Sequence, residues 1–265
     1  MISIIIPTYK NPEHLDICLK SAIEQQSNKN EIIVAVDGFI EESQDILDKY
    51  KDNIQVLDLG ENQGMQQALN LAVMNATNEI IFVVNDDNVF GKNYDLTILE
   101  TLEDREKTVM TLNQIEPTGP GIFDFPVMDF GRNPKDFKYD EFIKYESSLS
   151  ENVVTLDGGI FPFAMYKKYY MAAGGFDTIY QSPFICDWDF FLKLDLMGLK
   201  FCRTKKSHLY HFGSSATKNG KEGDIFKATE APAASTFMYK WGIPPSIFEN
   251  NSHRPKGSNI RGIKF

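Results

Sequence analysis

Cysteine is scarce in this sequence: Cys18, Cys186 and Cys202 are the only three among 265 residues. Three thiols so far apart exclude a disulfide framework and a zinc site of ordinary ligand spacing. Positive charge is also short, with 27 Lys+Arg against 37 Asp+Glu and a formal net charge of −10. That balance argues against broad nucleic-acid or anionic-membrane binding, since both draw on a surplus of Lys and Arg. Long apolar runs are missing, and no stretch approaches the roughly 20 residues that cross a bilayer. The opening Met1-Ile2-Ser3-Ile4 carries no basic n-region or cleavage site, which predicts no signal peptide. The rest is ordinary globular composition, 42% apolar and 24% charged. It suits a soluble, intracellular chain with one large α/β core or two half-domains sharing one.

The first hundred residues alternate strand and helix signals. Ile2-Ser3-Ile4-Ile5-Ile6 is almost wholly apolar, rich in β-branched residues and closed by Pro7, the pattern of a strand buried on both faces. Leu15, Cys18, Leu19, Ala22 and Ile23 recur at helical spacing over 13–26. A second strand, 32–36, stops at Asp37-Gly38, and a helix carrying Ile46, Leu47 and Tyr50 follows. Residues 54–59 read as a strand, 64–76 as a helix, and 80–84 as a strand halted by Asn85-Asp86-Asp87-Asn88. Such alternation predicts a mostly parallel central sheet flanked by helices. Ligands of such sheets sit beyond the carboxyl ends of the strands. Thr8, Tyr9, Asp37, Asp86 and Asp87 are therefore expected to share one crevice.

After residue 100 the rhythm changes. Aromatic residues from Phe123 to Tyr145 are interleaved with charges and breaks, which predicts irregular chain over the sheet edge and a short helix at 139–148. These rings are equally suited to cover the sheet or to stack on sugar rings. The pairs Gly158-Gly159 and Gly174-Gly175 precede a helix starting near Asp187, and a last helix is expected over 225–240. Arg203, Lys205 and Lys206 form a compact basic cluster, read mainly as an exposed charged loop. The tail 242–265 carries Arg254, Lys256, Arg261 and Lys264; contact with a membrane surface or a partner chain is one reading of it, and an ordinary mobile terminus is the plainer one.

No phosphate-cradling loop is present. Where a dinucleotide-binding unit would carry G-x-G-x-x-G, the chain reads Pro7-Thr8-Tyr9-Lys10-Asn11-Pro12, and no Gly-Lys-Ser/Thr loop exists. A diphosphate would then be neutralised by a divalent metal on carboxylates. Asp86 and Asp87 supply such carboxylates, and as neighbours at a strand end they point to different sides, one suited to a hydroxyl pair and the other to a metal. The plainer account of the same residues is a turn or a helix cap.

Taken together, Ile4-Ile5-Ile6-Pro7-Thr8-Tyr9, Val36-Asp37-Gly38, Asn62-Gln63-Gly64 with Asn70, and Val84-Asn85-Asp86-Asp87-Asn88 resemble the inverting family 2 glycosyltransferases of GT-A fold. Gly174-Gly175-Phe176-Asp177, Asp187-Trp188-Asp189 and His211 continue the resemblance in order, over about residues 1–215. It implies a GT-A domain over 1–217, with a nucleotide-binding half (1–100), an acceptor and catalytic half (101–217), and a C-terminal helix and tail (218–265) packed on the same domain. It further implies a nucleotide-diphospho-sugar donor, commonly a UDP-sugar, a saccharide or glycan acceptor, polysaccharide biosynthesis as the setting, and Mn²⁺ or Mg²⁺ as cofactor. The expected location is the cytoplasm, with or without peripheral contact to a membrane.

Residue by residue, the resemblance implies that Pro7, Thr8 and Tyr9 line the base, Asp37 accepts a hydrogen bond from it, and Asn70 belongs to the nucleotide site. Asp86 would contact the ribose, Asp87 and His211 the metal, and Asp187 would be the general base. Asp157, Gly159 and Trp188 would lie toward the acceptor or donor sugar. Asp189 is the runner-up base and His208 the fallback histidine. The sequence departs from the family pattern at Asn85, at Phe39 after Asp37-Gly38, and at Cys186 before Asp187, where Asn, Phe and Cys stand for acid, Ser and acid. At Asp187, desolvation would raise the carboxyl pKa and a helix N-terminus would lower it. Two other readings stay open: a non-catalytic sugar-nucleotide binder, and a sugar nucleotidyltransferase, which would want a basic Gly-rich loop after the first strand.

Overall fold

A computed structural model of the chain describes residues 1–118, 124–180, 182, 183, 185–213 and 220–245. Phe123 and the tail from residue 246 on, including Arg254, Lys256, Arg261 and Lys264, lie outside the described residues. In chain order the elements are β1 (Ser3–Thr8), α1 (Pro12–Glu24), β2 (Glu31–Val36), α2 (Gln44–Tyr50), β3 (Gln55–Asp58), α3 (Met65–Asn75) and β4 (Ile80–Val83). Then follow β5 (Asn88–Phe90), α4 (Tyr94–Leu102), β6 (Thr108–Ile115), α5 (Tyr139–Leu149), β7 (Val154–Thr155), β8 (Phe163–Tyr166), α6 (Lys167–Ala172), α7 (Cys186–Leu196), β9 (Lys200–His211) and α8 (Gly220–Trp241).

The strands form one sheet in the order β3-β2-β1-β4-β8-β6-β9-β5, with β7 also on β9. β3, β2, β1 and β4 are parallel, as the alternation predicts. Beyond β4 the sheet is mixed: β8 runs antiparallel between β4 and β6, β9 returns parallel to β6, and β5 and β7 lie antiparallel on β9. The part after residue 100, whose sequence predicts irregular chain over 121–145 and helices, thus supplies β6, β7, β8 and β9 to the sheet. The strands beyond β4 escape notice because β5, β7 and β8 span two to four residues, and β6 buries Thr, Asn and Gln among its apolar residues.

Both faces of the sheet are packed, which is why β1, β2 and β4 read as unbroken apolar runs. Ile4, Ile6, Ile32, Val34, Val36 and Phe82 face a core shared with α1 and α4. Their neighbours Ile5, Ile33, Ala35, Ile81 and Val83 face the opposite core, with α3, α6, α7 and α8. A third cluster joins Phe130, Phe137 and Phe142 to Tyr210 and Phe212, so the described part of the aromatic stretch serves as cover over the far end of the sheet. Arg203 departs from the charged-loop expectation. It is buried on β9, bound to Asp157 and Asp124 through ion pairs of 2.9 and 2.7 Å, with Asn113 accepting a further N–H.

The C-terminal helix is tied into the core it shares with α3, α6 and α7 by a buried carboxylate. Asp189 accepts hydrogen bonds from Tyr180 Oη (3.1 Å) and Trp241 Nε1 (2.7 Å). Lys240 Nζ stands 2.7 Å from the same oxygen and 2.5 Å from Asp177. Asp189 is therefore a structural anchor, which removes it as runner-up base. Lys193 Nζ lies 3.6 Å from its other oxygen, so replacing Asp189 by Ala strips two cations, Lys240 and Lys193, and two donors of their shared partner. Asp189→Ala is expected to cost about 3 kcal/mol of stability, read as a lowered midpoint in guanidinium denaturation; an unchanged midpoint refutes the anchor.

Candidate active site

The crevice begins where β1 and β4 part. Their ladder ends with Val84 N–H donating to Ile5 C=O. The amide that would continue it belongs to Pro7, which has no N–H to give. β1 does not end there, as its sequence suggests, because its other edge stays paired with β2 through Pro7–Ala35 and Thr8–Val36. Into the fork drops Asp86, whose carboxylate accepts from Thr8 Oγ1 (2.7 Å) and Asn11 Nδ2 (3.0 Å). His14 Nδ1, one turn into α1, lies 2.7 Å from Asn11 Oδ1 and holds that amide in place. Burial, and then the neighbouring Asp87, push the Asp86 pKa up to about 7 against the pull of Thr8 and Asn11.

Asp87 points the other way, as adjacent residues at a strand end should. Its Oδ2 faces His211 Nε2 at 3.6 Å, and its carbonyl accepts from Phe212 N–H. The opposite ring nitrogen, His211 Nδ1, is 3.0 Å from Glu116 Oε1 at the end of β6. β9 brings His211 here because it pairs Asn88 on one side and runs beside β6 on the other. His208 does not join it. Three residues back on the strand, it faces the buried Asn113 and Glu146, and burial pushes its pKa down to about 4.

At the next strand end, Asp37 accepts backbone N–H groups from Gln63 (2.7 Å) and Gly64 (3.0 Å), which hold the loop before α3. Burial still leaves its pKa above the usual carboxylate value, with those two bonds opposing. Gly38 lets that loop come close: its φ is +81°, and a Cβ there would sit 2.7 Å from Asn62 N. Tyr9 packs edge-on against Phe39 with ring centroids 5.9 Å apart, and Lys10 Nζ sits 3.9 Å from the Phe39 ring. Among the described residues, four non-glycine positions have positive φ, namely Lys10, Phe39, Asn93 and Ile185. Three of them border this crevice, and such strain concentrates at working sites.

Ile185 leads directly into α7. A tight turn at Gly198 joins α7 to β9, which starts level with β6 at the amino end of the sheet. α7 therefore runs back along the sheet, and its first turn, with Asp187 and Trp188, lies at the carboxyl edge. Asp187 is half-buried, and its Oδ1 accepts the Trp188 N–H at 2.9 Å. The preceding segment is fixed by Gln66 Nε2 donating to Ser182 C=O and by Thr229 Oγ1 of α8 donating to Ser182 Oγ.

Not every expected residue turns toward this edge. Asn70 is engaged elsewhere: its side chain accepts from Tyr170 Oη and Phe176 N–H and donates to Phe176 C=O. It staples the Gly174-Gly175-Phe176 turn to α3, where a Cβ on Gly175 would lie 2.3 Å from Asn70 Oδ1. This corrects its assignment to the nucleotide. Asp157 is spent on Arg203, while Gly159 (φ +82°) lies between it and Ile160, whose carbonyl accepts from Thr111 Oγ1 beside β6. Glu116, Asn11 and His14 went unnoticed in the sequence. Asn11 alone carried a signal, through its place between Thr8 and Pro12.

The raised Asp86 pKa has a consequence for stability. Its folded value lies above the unfolded one near 3.8, so its favourable contribution is complete at pH 3.8 and below and is lost as pH rises through 7. In EDTA, wild-type protein is expected to lose melting temperature between pH 5.5 and 8.5 more steeply than Asp86→Asn. Parallel curves for the two proteins would contradict the buried-acid account.

The comparisons with known proteins agree with this architecture. Residues 3–172, more than half of the chain, match the family model described as glycosyl transferase family 2. The chain is similar to glycosyltransferase GlyG of Streptococcus pneumoniae serotype 4, at 28% identity over 43% of this chain and 38% of that one. It is also similar to an uncharacterized glycosyltransferase of Haemophilus influenzae, at 24% identity over 73% and 62%. It thus spans about two fifths to three fifths of the length of these relatives. Among solved structures, S. aureus TarS superposes with a TM-score of 0.60 at 18% identity, over 89% of this chain and 39% of that one. TarS 1–349 in complex with UDP gives 0.59 at 16% identity, over 91% and 72%. These likenesses share the GT-A fold, and the family match decides membership: the chain belongs to glycosyl transferase family 2.

Proposed function

We propose that this chain is a metal-dependent, inverting glycosyltransferase that moves a sugar from a nucleotide-diphospho-sugar, with UDP as nucleotide, to a saccharide hydroxyl. The observation that carries this reading is the placement of Asp87 with His211, and of Asp187, along one edge of one sheet. Family membership and the UDP complex of the similar TarS structure support the donor class. Tyr9 and Phe39 offer aromatic surface for a base, and Asp86, held by Thr8 and Asn11, offers a carboxylate for ribose hydroxyls.

The donor set suits Mn²⁺ or Mg²⁺. A carboxylate oxygen and an imidazole nitrogen face each other across 3.6 Å, longer than a hydrogen bond; the carboxylate suits either ion, and the imidazole takes Mn²⁺ more readily than Mg²⁺. Among the described residues no three acidic, His or Cys side chains form a metal-holding group, so Asp87 and His211 are the two side chains that would hold the ion. A divalent cation held by Asp87 and His211 would supply charge neutralisation for the departing diphosphate. Asp187 takes the proton of the acceptor hydroxyl as its oxygen attacks the anomeric carbon. The bond from that carbon to the diphosphate oxygen breaks on the opposite side. One displacement inverts the centre and requires a single base. Among the described residues no helix is long and apolar enough to cross a membrane, so this reading draws on no spanning segment within them.

Asp187→Asn is expected to leave UDP affinity within threefold while turnover of a UDP-sugar panel falls at least a hundredfold; retained turnover removes Asp187 as base. Asp87→Ala should weaken UDP binding, measured by calorimetry, at least tenfold in Mn²⁺ and hardly at all in EDTA. Equal loss in both buffers would falsify the metal assignment.

A further inference from the structure

The geometry points to Glu116 as a positioning residue that sets which nitrogen of His211 is presented to the metal. This rests on the metal reading just given. Glu116 Oε1 lies 3.0 Å from His211 Nδ1. A carboxylate oxygen accepts, so this bond assigns the ring proton to Nδ1. In the neutral ring the lone pair then falls on Nε2, the atom facing Asp87 Oδ2. Free imidazole side chains favour the opposite arrangement, and a carboxylate behind a ligating histidine is a general means of fixing tautomer and ring plane.

Glu116 is itself held firmly. Its N–H donates to Pro126 C=O at 3.0 Å and its C=O accepts from Met128 N–H at 2.9 Å, so the 126–128 segment clasps its backbone on the open side of β6. Its side chain is 17% exposed and that of His211 16%, so water competes little for the bond. His14, by contrast, lies against Asn11, and His208 faces Asn113 and Glu146. His211 is thus backed by one carboxylate and faced by another.

The test uses the full chain with ¹⁵N-labelled histidine, in EDTA, with long-range ¹H–¹⁵N spectra to read the ring. His211 of the wild type should show the Nδ1–H form, and Glu116→Ala should shift it toward Nε2–H. Glu116→Gln, whose amide oxygen still accepts, should retain the wild-type form. In a second arm, Mn²⁺ binding with saturating UDP is followed by electron paramagnetic resonance. Glu116→Ala should weaken it about tenfold, and Glu116→Gln by less than threefold. If Mn²⁺ binds wild type and Glu116→Ala equally and the ring signals coincide, the role of Glu116 is overturned while the metal site stands. If wild type shows the Nδ1–H form but binds no Mn²⁺ with UDP, the metal reading fails and the role toward a metal fails with it. A ring protonated on both nitrogens, or an Nε2–H ring in the wild type, also overturns the proposal.

Discussion

A half-buried carboxylate held in the fork between two parallel strands is the constraint around which the site is organised. Asp86 can sit there because Pro7 ends the β1–β4 ladder while β1 stays paired to β2. It can remain there because Thr8 and Asn11 both donate to it. With Asp86 fixed, Asp87 must face the other way, toward β9. That divides the pair into one acid held by Thr8 and Asn11 and one turned to the histidine. The division follows from strand geometry and from the cost of burying an unpaired charge.

The rest of the molecule supports that edge from behind. β6 and β9 run in parallel to the carboxyl end and deliver Glu116 and His211 as neighbours. α7 runs the opposite way and delivers Asp187. α8 secures the approach to α7 by way of Ser182 and the Asp189 anchor, although it lies beyond the residues matched by the family model. Several expected site residues turn out to stabilise these supports. Asn70 pins a turn, Asp157 pairs with Arg203, and Asp189 gathers the end of α8. A polar residue within a motif can be retained for holding the frame as readily as for touching a ligand.

The parallel half of the sheet was legible because β1, β2 and β4 are buried on both faces, and runs such as Ile4-Ile5-Ile6 and Ile32-Ile33-Val34 have no other stable setting. The carboxyl-edge crevice followed from the same fact, together with the polar residues that stop each run. The mixed half was not legible. β5, β7 and β8 are too short for periodicity, and β6 carries Asn113 and Gln114, whose burial is compensated by contacts to His208 and to the Phe161 carbonyl. Those partners lie 95 and 47 residues away, and nothing local announces them.

The chain's own order therefore determined that strands alternate with helices, that they pair in parallel, and that Thr8, Asp37, Asp86 and Asp87 end up along one edge. Side-chain period and burial on two faces are local properties, and they suffice for that much. Only the tertiary structure decided that Glu116 stands behind His211, that His208 faces inward, that Asn70 serves a turn, and that Asp189 belongs to the core. Each of these depends on which distant segment supplies the hydrogen-bonding partner, and that is settled when the sheet closes.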